Sequence, residues 1–568
     1  MKSRNIIFTI ACFAWLSPVF AQDINRELIL VRPYEPSVTD AQKITTLPNL
    51  KDSFSIKPLF EYSIRSRRID TRFDVSPIAP AKLQPLPQSK LYHGYIKVGA
   101  GFKPNAMAEV ALNTVRNKDY AAGAILKLSG AKSKVKFDND SVESVPAGYN
   151  NASAKVFAQK FFHNAILYSE LGASRQKSNH YGYDTKSGTP VDIIGDIPRY
   201  YIFADANIGI RSSHFKTEKL NYIVQLSYKN ANNRLDTMYV SMLPAYIPEP
   251  NSKSFVRDNE NAFNFKTQVD NNMFGGNLNF DIYNRKFAFD SLRNNFIIDI
   301  NPWFMLDNDS VRLQVGMRIA AYNDDGNIHP YIFPKIEFQF TLLKDIFIPF
   351  VGIDGYFRPN TYRDIVTENP FVMPGISAPI TKTKYQIYAG LKGTLTSKLS
   401  YYLRADYFDS SNEYFFVNDT STRLQKYFTV ISDDIQYVSL KGELYFNPVE
   451  SVDLGIKATY FTYDLSKALH KPKYTLEFLA KYNLRNKVIA NLDIMGIGER
   501  NARAFFNSDK EVYILKRAIA FNLGVEYRYT RSFSLFLKLN NISGATYERW
   551  NFYPSYRFNM MGGFTYSL

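Results

Sequence analysis

The chain has 568 residues, with 69 Lys and Arg against 53 Asp and Glu and a formal net charge of +16 at neutral pH. Its one cysteine, Cys12, lies in the N-terminal apolar stretch, so disulfides and thiolate metal sites are excluded from the remainder. No later run reaches the roughly 18 apolar residues of a membrane-spanning helix, and the histidines at 93, 163, 180, 214, 329 and 470 lack ligand spacing and read as turn or interface residues.

At the amino terminus, Lys2 and Arg4, the apolar run from Ile6 to Leu16 and the small-residue site Val19-Phe20-Ala21 spell a signal peptide over 1–21. Its removal takes two cations and lowers the net charge to +14. The remaining excess suits lipopolysaccharide phosphates or anionic solutes, or serves as a diffuse solubilising charge; an exported chain is a poor candidate for nucleic acid.

Residues 22–90 carry prolines at 33, 36, 48, 58, 77, 80, 85 and 87, which interrupt every helix or central strand. They are expected to form an irregular periplasmic or lumen-filling arm. Within it, Arg65, Arg67 and Arg68 are either a solvated charge run or partners for acids inside a barrel.

From Tyr92 onward, alternating runs of about 10 to 15 residues recur between turn signals, the length a tilted membrane strand needs. About 22 of them are expected. They begin near 92, 106, 119, 150, 163, 198, 217, 260, 273, 294, 309, 329, 344, 381, 397, 434, 451, 472, 486, 517, 531 and 555. Every second connection is short, as at Asn117-Lys118-Asp119, Asp307-Asn308-Asp309 and Asn447-Pro448-Val449-Glu450. The long ones, near 132–149, 177–197, 233–259, 358–380, 409–433 and 498–516, fall on the other side. This asymmetry predicts an all-β fold: a closed antiparallel transmembrane barrel over 91–568, multi-pass in the outer membrane, with both ends periplasmic.

The alternation assigns faces. In the strand from Ile435 to Phe446, Val438, Leu440, Leu444 and Phe446 are expected to meet lipid while Lys441 and Glu443 face the lumen. The same phase places Lys392, Arg404, Asp406, Asp453, Lys457, Glu477, Lys481, Asp493, Glu526, Arg528 and Lys538 inside. The chain ends on a strand whose Phe564, Tyr566 and Leu568 share one face, the form of signal that barrel-assembly machinery reads.

Phe521 to Tyr529, Phe533 to Ile542, Tyr547-Glu548-Arg549-Trp550 and the terminal Gly562-Gly563-Phe564-Thr565-Tyr566-Ser567-Leu568 resemble the last three strands of TonB-dependent receptors, especially those of Bacteroidota. The resemblance implies a 22-stranded barrel and solute uptake. It departs at Leu568, where the family mostly ends in Phe, and before the barrel, where about seventy residues cannot hold the family's plug domain. Glu27, Leu28, Ile29, Leu30 and Val31 resemble a Ton box, which a TonB protein captures by strand addition; the alternative is an extended segment packed on the periplasmic mouth.

No nucleophile elbow, phosphate loop or metalloprotease helix occurs, and no enzyme or cofactor is expected. Asp138-Asn139-Asp140 and Asp324-Asp325-Gly326 read as hydrated hairpin tips, and Gly99-x-Gly101 as an aid to curvature. Two roles fit: passage or uptake of a solute, or an occluded, plug-less scaffold in an assembly with surface lipoproteins or other outer-membrane components. Aromatic outer loops at Tyr356-Phe357, Tyr362 and Tyr414-Phe415-Phe416 are candidates for stacking on a solute or docking a partner.

Overall fold

A computed structural model describes residues 91–568 except 138–143, 183–196, 214–219, 237–254, 272, 288–292, 325, 419–426 and 507–508. The signal peptide, the arm 22–90, the Glu27 to Val31 segment, the Arg65, Arg67, Arg68 cluster and the tips at 138–140 and Asp325 lie outside the described residues.

Twenty-two antiparallel strands form one closed barrel. They are β1 Gly94–Gly101, β2 Asn105–Asn113, β3 Tyr120–Ala131, β4 Tyr149–Phe161, β5 Ala165–His180, β6 Ile197–Ser212, β7 Asn221–Asp236 and β8 Asn259–Asp270. Next come β9 Phe274–Lys286, β10 Arg293–Asp307, β11 Val311–Asp324, β12 Asn327–Phe340, β13 Ile348–Arg358, β14 Thr381–Thr396, β15 Leu399–Asn418 and β16 Phe428–Val449. The set ends with β17 Val452–Phe461, β18 Tyr474–Leu484, β19 Val488–Ile497, β20 Ala518–Arg528, β21 Phe533–Asn540 and β22 Asn559–Ser567. Of the 22 expected starts, 21 fall within four residues of these and the other, near 434, lies six residues inside β16, because a half-buried strand writes its period into the sequence.

The wall closes where β1 pairs with β22, Lys97 opposite Thr565 and Val98 opposite Phe564. Closure removes the free edges that would otherwise invite aggregation. The seam needs glycine at Gly99 and Gly563, which face each other; a Cβ on either would stand within 3 Å of the Phe536 ring that crosses the seam. Side-chain turns fix the short connections: Asn117 Oδ1 accepts from the Asp119 and Tyr120 amides, and Asn308 Oδ1 from Ser310 and Val311.

The two faces differ as alternation requires. Leu440, Leu444 and Phe446 of β16 stay exposed, as do Phe564, Tyr566 and Leu568 at the end of the chain, and lipid is the solvent that makes such a surface favourable. On β15 and β16, Arg404 stands opposite Lys441, and Asp406 opposite Ser439, on the other face. A Leu440→Arg change should therefore cost about 2 to 4 kcal/mol of barrel stability, read from urea unfolding in bilayers. Lys441→Leu should cost far less; equal effects would overturn the face assignment.

The structure corrects two expected loops. Most of 409–433 is strand: β15 and β16 run on as a tall hairpin past a register shift between Ser410 and Glu413, which reverses the side-chain phase and hides the alternation. Residues 498–516 likewise hold a hairpin, Arg500–Phe506 with Asp509–Leu515, while β19 and β20 pair directly beneath it. Tyr547 to Trp550, read with the final strands, lies in the outer connection before β22, where Glu548–Trp550 pairs with Tyr553–Pro554.

Candidate functional site

The long connections do not all stay outside. Residues 359–380, between β13 and β14, form a strap built around one short helix, α1 (Tyr362–Glu368). Thr361 caps it, its hydroxyl accepting from the Asp364 amide at 3.0 Å, and Asn369-Pro370 stops it. Tyr362, Ile365 and Val366 share one helix face and are at most 1% exposed.

That face is held against the inner wall by charge. Glu260 of β8 accepts from Arg285 Nε at 2.8 Å and from the Tyr362 and Arg363 amides at 2.9 and 3.4 Å, so a carboxylate sits on the positive helix end. The Arg363 guanidinium forks onto Asp205 of β6 at 2.5 and 2.9 Å and lies over the Phe203 ring. Asp258 accepts from the Gly375 amide at 3.0 Å and Asn233 Nδ2 at 2.8 Å. Buried Arg199 donates to the Val372 carbonyl, and Tyr201 to that of Pro370. At the far helix end Glu368 accepts from the Tyr414 hydroxyl and from Lys471 Nζ.

These contacts place the strap across the barrel. Around the wall β6 is seven strands from β13, so a segment leaving β13 reaches Asp205 only by crossing the lumen. Residues 541–558, between β21 and β22, cross from the other direction. Trp550 packs on Phe416 and Phe428 of β15 and β16, and Tyr553 donates to or accepts from His180 Nδ1 of β5 at 2.8 Å. The two segments meet where Phe371 stacks on Tyr553, ring centroids 3.9 Å apart. The shared core adds Tyr201, Phe203, Val372, Ile376 and Phe552, all nearly inaccessible. Two of the barrel's own connections thus meet across the outer mouth.

The aromatic residues expected to display themselves at the outer surface do not. Tyr362 and Phe416 are 1% exposed and Tyr414 7%, because each spends its ring on this closure, while Phe415 is buried against Val417, Ile435 and Leu469, and Tyr356 and Phe357 are half-buried on β13. His180 and His470, expected in turns or interfaces, are core groups as well. Beneath the strap is a cavity of about 690 Å³, bounded by Glu368, Phe371 and Trp550 and by inner-wall Asn151, Gln176 and Asn522.

The expected lumen charges gather in part. Arg404 pairs with Asp406 at 2.6 Å, Lys441 with Glu443 at 2.6 Å and Lys457 with Glu477 at 3.5 Å, and register makes these one continuous run over β15 to β18. Lys481 stands opposite Asp453, whose carboxylate accepts from Asn447. Asp493 stands between Leu479 and Asn522, away from the run. Glu526 pairs with Arg528 at 3.6 Å near the short-turn end. Lys538 and Lys97 share the Phe536 ring, and Lys392 lies by that of Phe350. Sequence periodicity named these residues, and Asp205 with them, as inward; it gave no sign that Asp205, Asp258, Glu260, Arg285 and Arg363 form a group, since they join only through the strap.

His470, in the connection after β17, adds a pH dependence. Its Nδ1 donates to the Phe416 carbonyl at 3.0 Å and its Nε2 accepts the Asn551 amide at 3.4 Å, so the neutral ring is the one that fits. Burial first, with Arg500 and Lys471 nearby, pushes its pKa down to about 3. A depressed pKa leaves stability complete above the unfolded value near 6.5 and removes it as pH falls toward the folded value, by roughly 2 kcal/mol at pH 5. Protection factors, taken relative to the intrinsic exchange rate at each pH, should fall by about thirtyfold in 461–473 and 541–558 between pH 7.5 and pH 5, and His470→Gln should lose this dependence.

No protein-family model and no curated protein matches the chain. Solved structures do. A mutant of the ferric enterobactin receptor PfeA from Pseudomonas aeruginosa is similar with TM-score 0.62 and 11% identity, over 84% of this chain and 80% of that one. The siderophore receptor PirA from Acinetobacter baumannii gives 0.63 and 12%, over 84% and 81%. The FrpB iron transporter from Neisseria meningitidis gives 0.65 and 9%, over 85% and 83%. At such identities the likeness is one of architecture: this chain has the fold of the 22-stranded, multi-pass outer-membrane receptor barrels.

Proposed function

We propose that the chain is an outer-membrane barrel for passage or uptake of a solute, with the strap 359–380 as its outer gate. The supporting observation is the polar seating of that strap. Asp205, Glu260 and Asp258 hold Arg363 and the amides of Tyr362, Arg363 and Gly375, contacts that water and a charged solute can replace. The cavity below, lined by amides and aromatic rings, is the compartment entered once the strap lifts. Siderophores and iron, named for the solved neighbours, are the first cargo class to test.

In this reading residues 1–21 are removed, residues 22–90 form the periplasmic arm in place of a plug, and Glu27 to Val31 are the contact for a TonB protein. The charges from Lys392 to Lys538 line the path, and lipopolysaccharide and the barrel-assembly machinery are partners of insertion. The second reading, a permanently occluded scaffold beside surface lipoproteins, draws on the apolar core of the closure, where Ile365, Val366, Val372 and Phe428 are fully buried.

Planar-bilayer recording separates the two. Stepwise currents from the purified chain that change when 22–90 are deleted support a gated path, whereas silence in both forms supports the scaffold. Ile29→Pro removes a backbone donor from the segment a TonB protein would pair with, so undiminished uptake in that variant would remove the TonB contact from the proposal.

A further inference from the structure

A second site lies on the lipid side of the wall, away from the mouth. Between β1 and β5, at the end where the long connections emerge, a groove of about 1150 Å³ runs over the outer face. Its floor includes Val98, Ala100, Ala106, Ala108 and Leu128, which register places on the outward phase with the exposed Phe564. On β5 it touches Arg175 and Lys177, which alternate with inward Gln176 and share the outward phase of exposed Leu171.

The upper rim is basic. Lys132 and Lys134 continue the outward phase of β3 past its end, while Ser133 and Val135 turn the other way and are buried. Arg175 and Lys177 both lie by the ring of Tyr200, at 5.3 and 5.6 Å, and so are held together. No carboxylate meets any of these four among the described residues. Between 91 and 182 the described acids are Glu109, Asp119 and Glu170. Glu109 and Glu170 pair with Lys127 and Lys155 on the inner face, and Asp119 sits in a short turn at the opposite end.

The groove therefore has an apolar floor where acyl chains lie and, where headgroups lie, cations that meet no carboxylate among the described residues. The outward face continues around the barrel as an amide belt on β7 to β10, with Lys286 opposite Asn259. There Asn230 donates to Asn259 and Asn261, and Asn284 to Asn294. Amides in that place suit sugar hydroxyls rather than a bare glycerol phosphate.

We propose that this groove seats a phosphorylated glycolipid of the outer leaflet, its acyl chain along Ala106 and Ala108 and its phosphate between Lys132, Lys134, Arg175 and Lys177. Guanidinium and ammonium groups are the ordinary partners of such phosphates. The site is independent of the transport reading and would serve a scaffold equally well.

The test is native mass spectrometry of the intact detergent-purified chain with three probes: bisphosphorylated lipid A, its dephosphorylated form and phosphatidylglycerol. One bisphosphorylated lipid A should be retained by the unaltered chain, and its apparent affinity should fall at least about tenfold when Lys132, Lys134, Arg175 and Lys177 are all changed to Gln. Ala108→Phe, which fills the floor and leaves the cations in place, should lose it too. Undiminished retention by either folded variant would overturn the site, folding being read from heat-modifiable gel mobility. Equal retention of the dephosphorylated lipid, or equal competition by phosphatidylglycerol, would overturn the assignment to a phosphorylated glycolipid.

Discussion

Glu260→Ala will unseat the strap and leave the barrel standing. The carboxylate pairs with Arg285 Nε at 2.8 Å, with side chains 6% and 3% exposed, and it also takes two amides at the start of α1. Removing it strands a guanidinium in a buried place and orphans those amides. Breaking a buried pair from one side costs about 3 to 5 kcal/mol, since the remaining charge keeps its desolvation cost without its partner. That loss falls on the closure, because β8 and β9 stay joined by backbone bonds along twelve register pairs. Trypsin cleavage after Arg363 should quicken by more than tenfold in intact proteoliposomes, and stepwise conductance should rise above that of the unaltered chain. Glu260→Gln, which keeps an acceptor for the helix amides, should fall between. A variant that conducts no more than the unaltered chain and resists trypsin equally well would show that the strap does not depend on this anchor.

How much of this was legible in the residues depends on range. Alternation and turn chemistry act over ten residues, and they placed the twenty-two wall strands and the outward row at Phe564, Tyr566 and Leu568. Closure of the mouth acts over hundreds: Asp205 meets Arg363 and Tyr553 meets His180 across 158 and 373 positions. A strand period describes its own two faces and contains nothing about which connection turns inward. Aromatic loops such as Tyr414-Phe415-Phe416 read alike whether they await a solute or fill a core. One local signal was available. Thr361 with Asp364 three residues on is the spelling of a helix start, and a helix inside a barrel connection already implies something for its apolar face to cover. The phase reversal after Ser410 was the opposite case, where a bulge erased a pattern that the strand itself retained.

Tyr553→Ala will act at the other support, where the strap meets the connection before β22. Its ring is 1% exposed, stacks on Phe371 at 3.9 Å and touches Tyr181 and Phe428 edge-on or tilted. Truncating a ring this enclosed costs about 3 to 5 kcal/mol, from lost transfer energy and the cavity left behind. Tyr553→Phe keeps the stack and loses the hydroxyl's contacts with His180 and the Gly182 backbone, worth about 1 to 3 kcal/mol where a buried polar group is left unsatisfied. The ordering Ala, then Phe, then the unaltered chain should appear in amide exchange of 359–380 and 541–558, with the barrel's heat-modifiable gel mobility unchanged in all three. The same series weighs the two roles. A gate loosened in this way should pass small solutes without any energising partner, in proportion to the exchange. A scaffold whose lumen is filled below the mouth should gain exchange and no flux, because the inner run from Arg404 to Glu477 and whatever lies against it would still close the path.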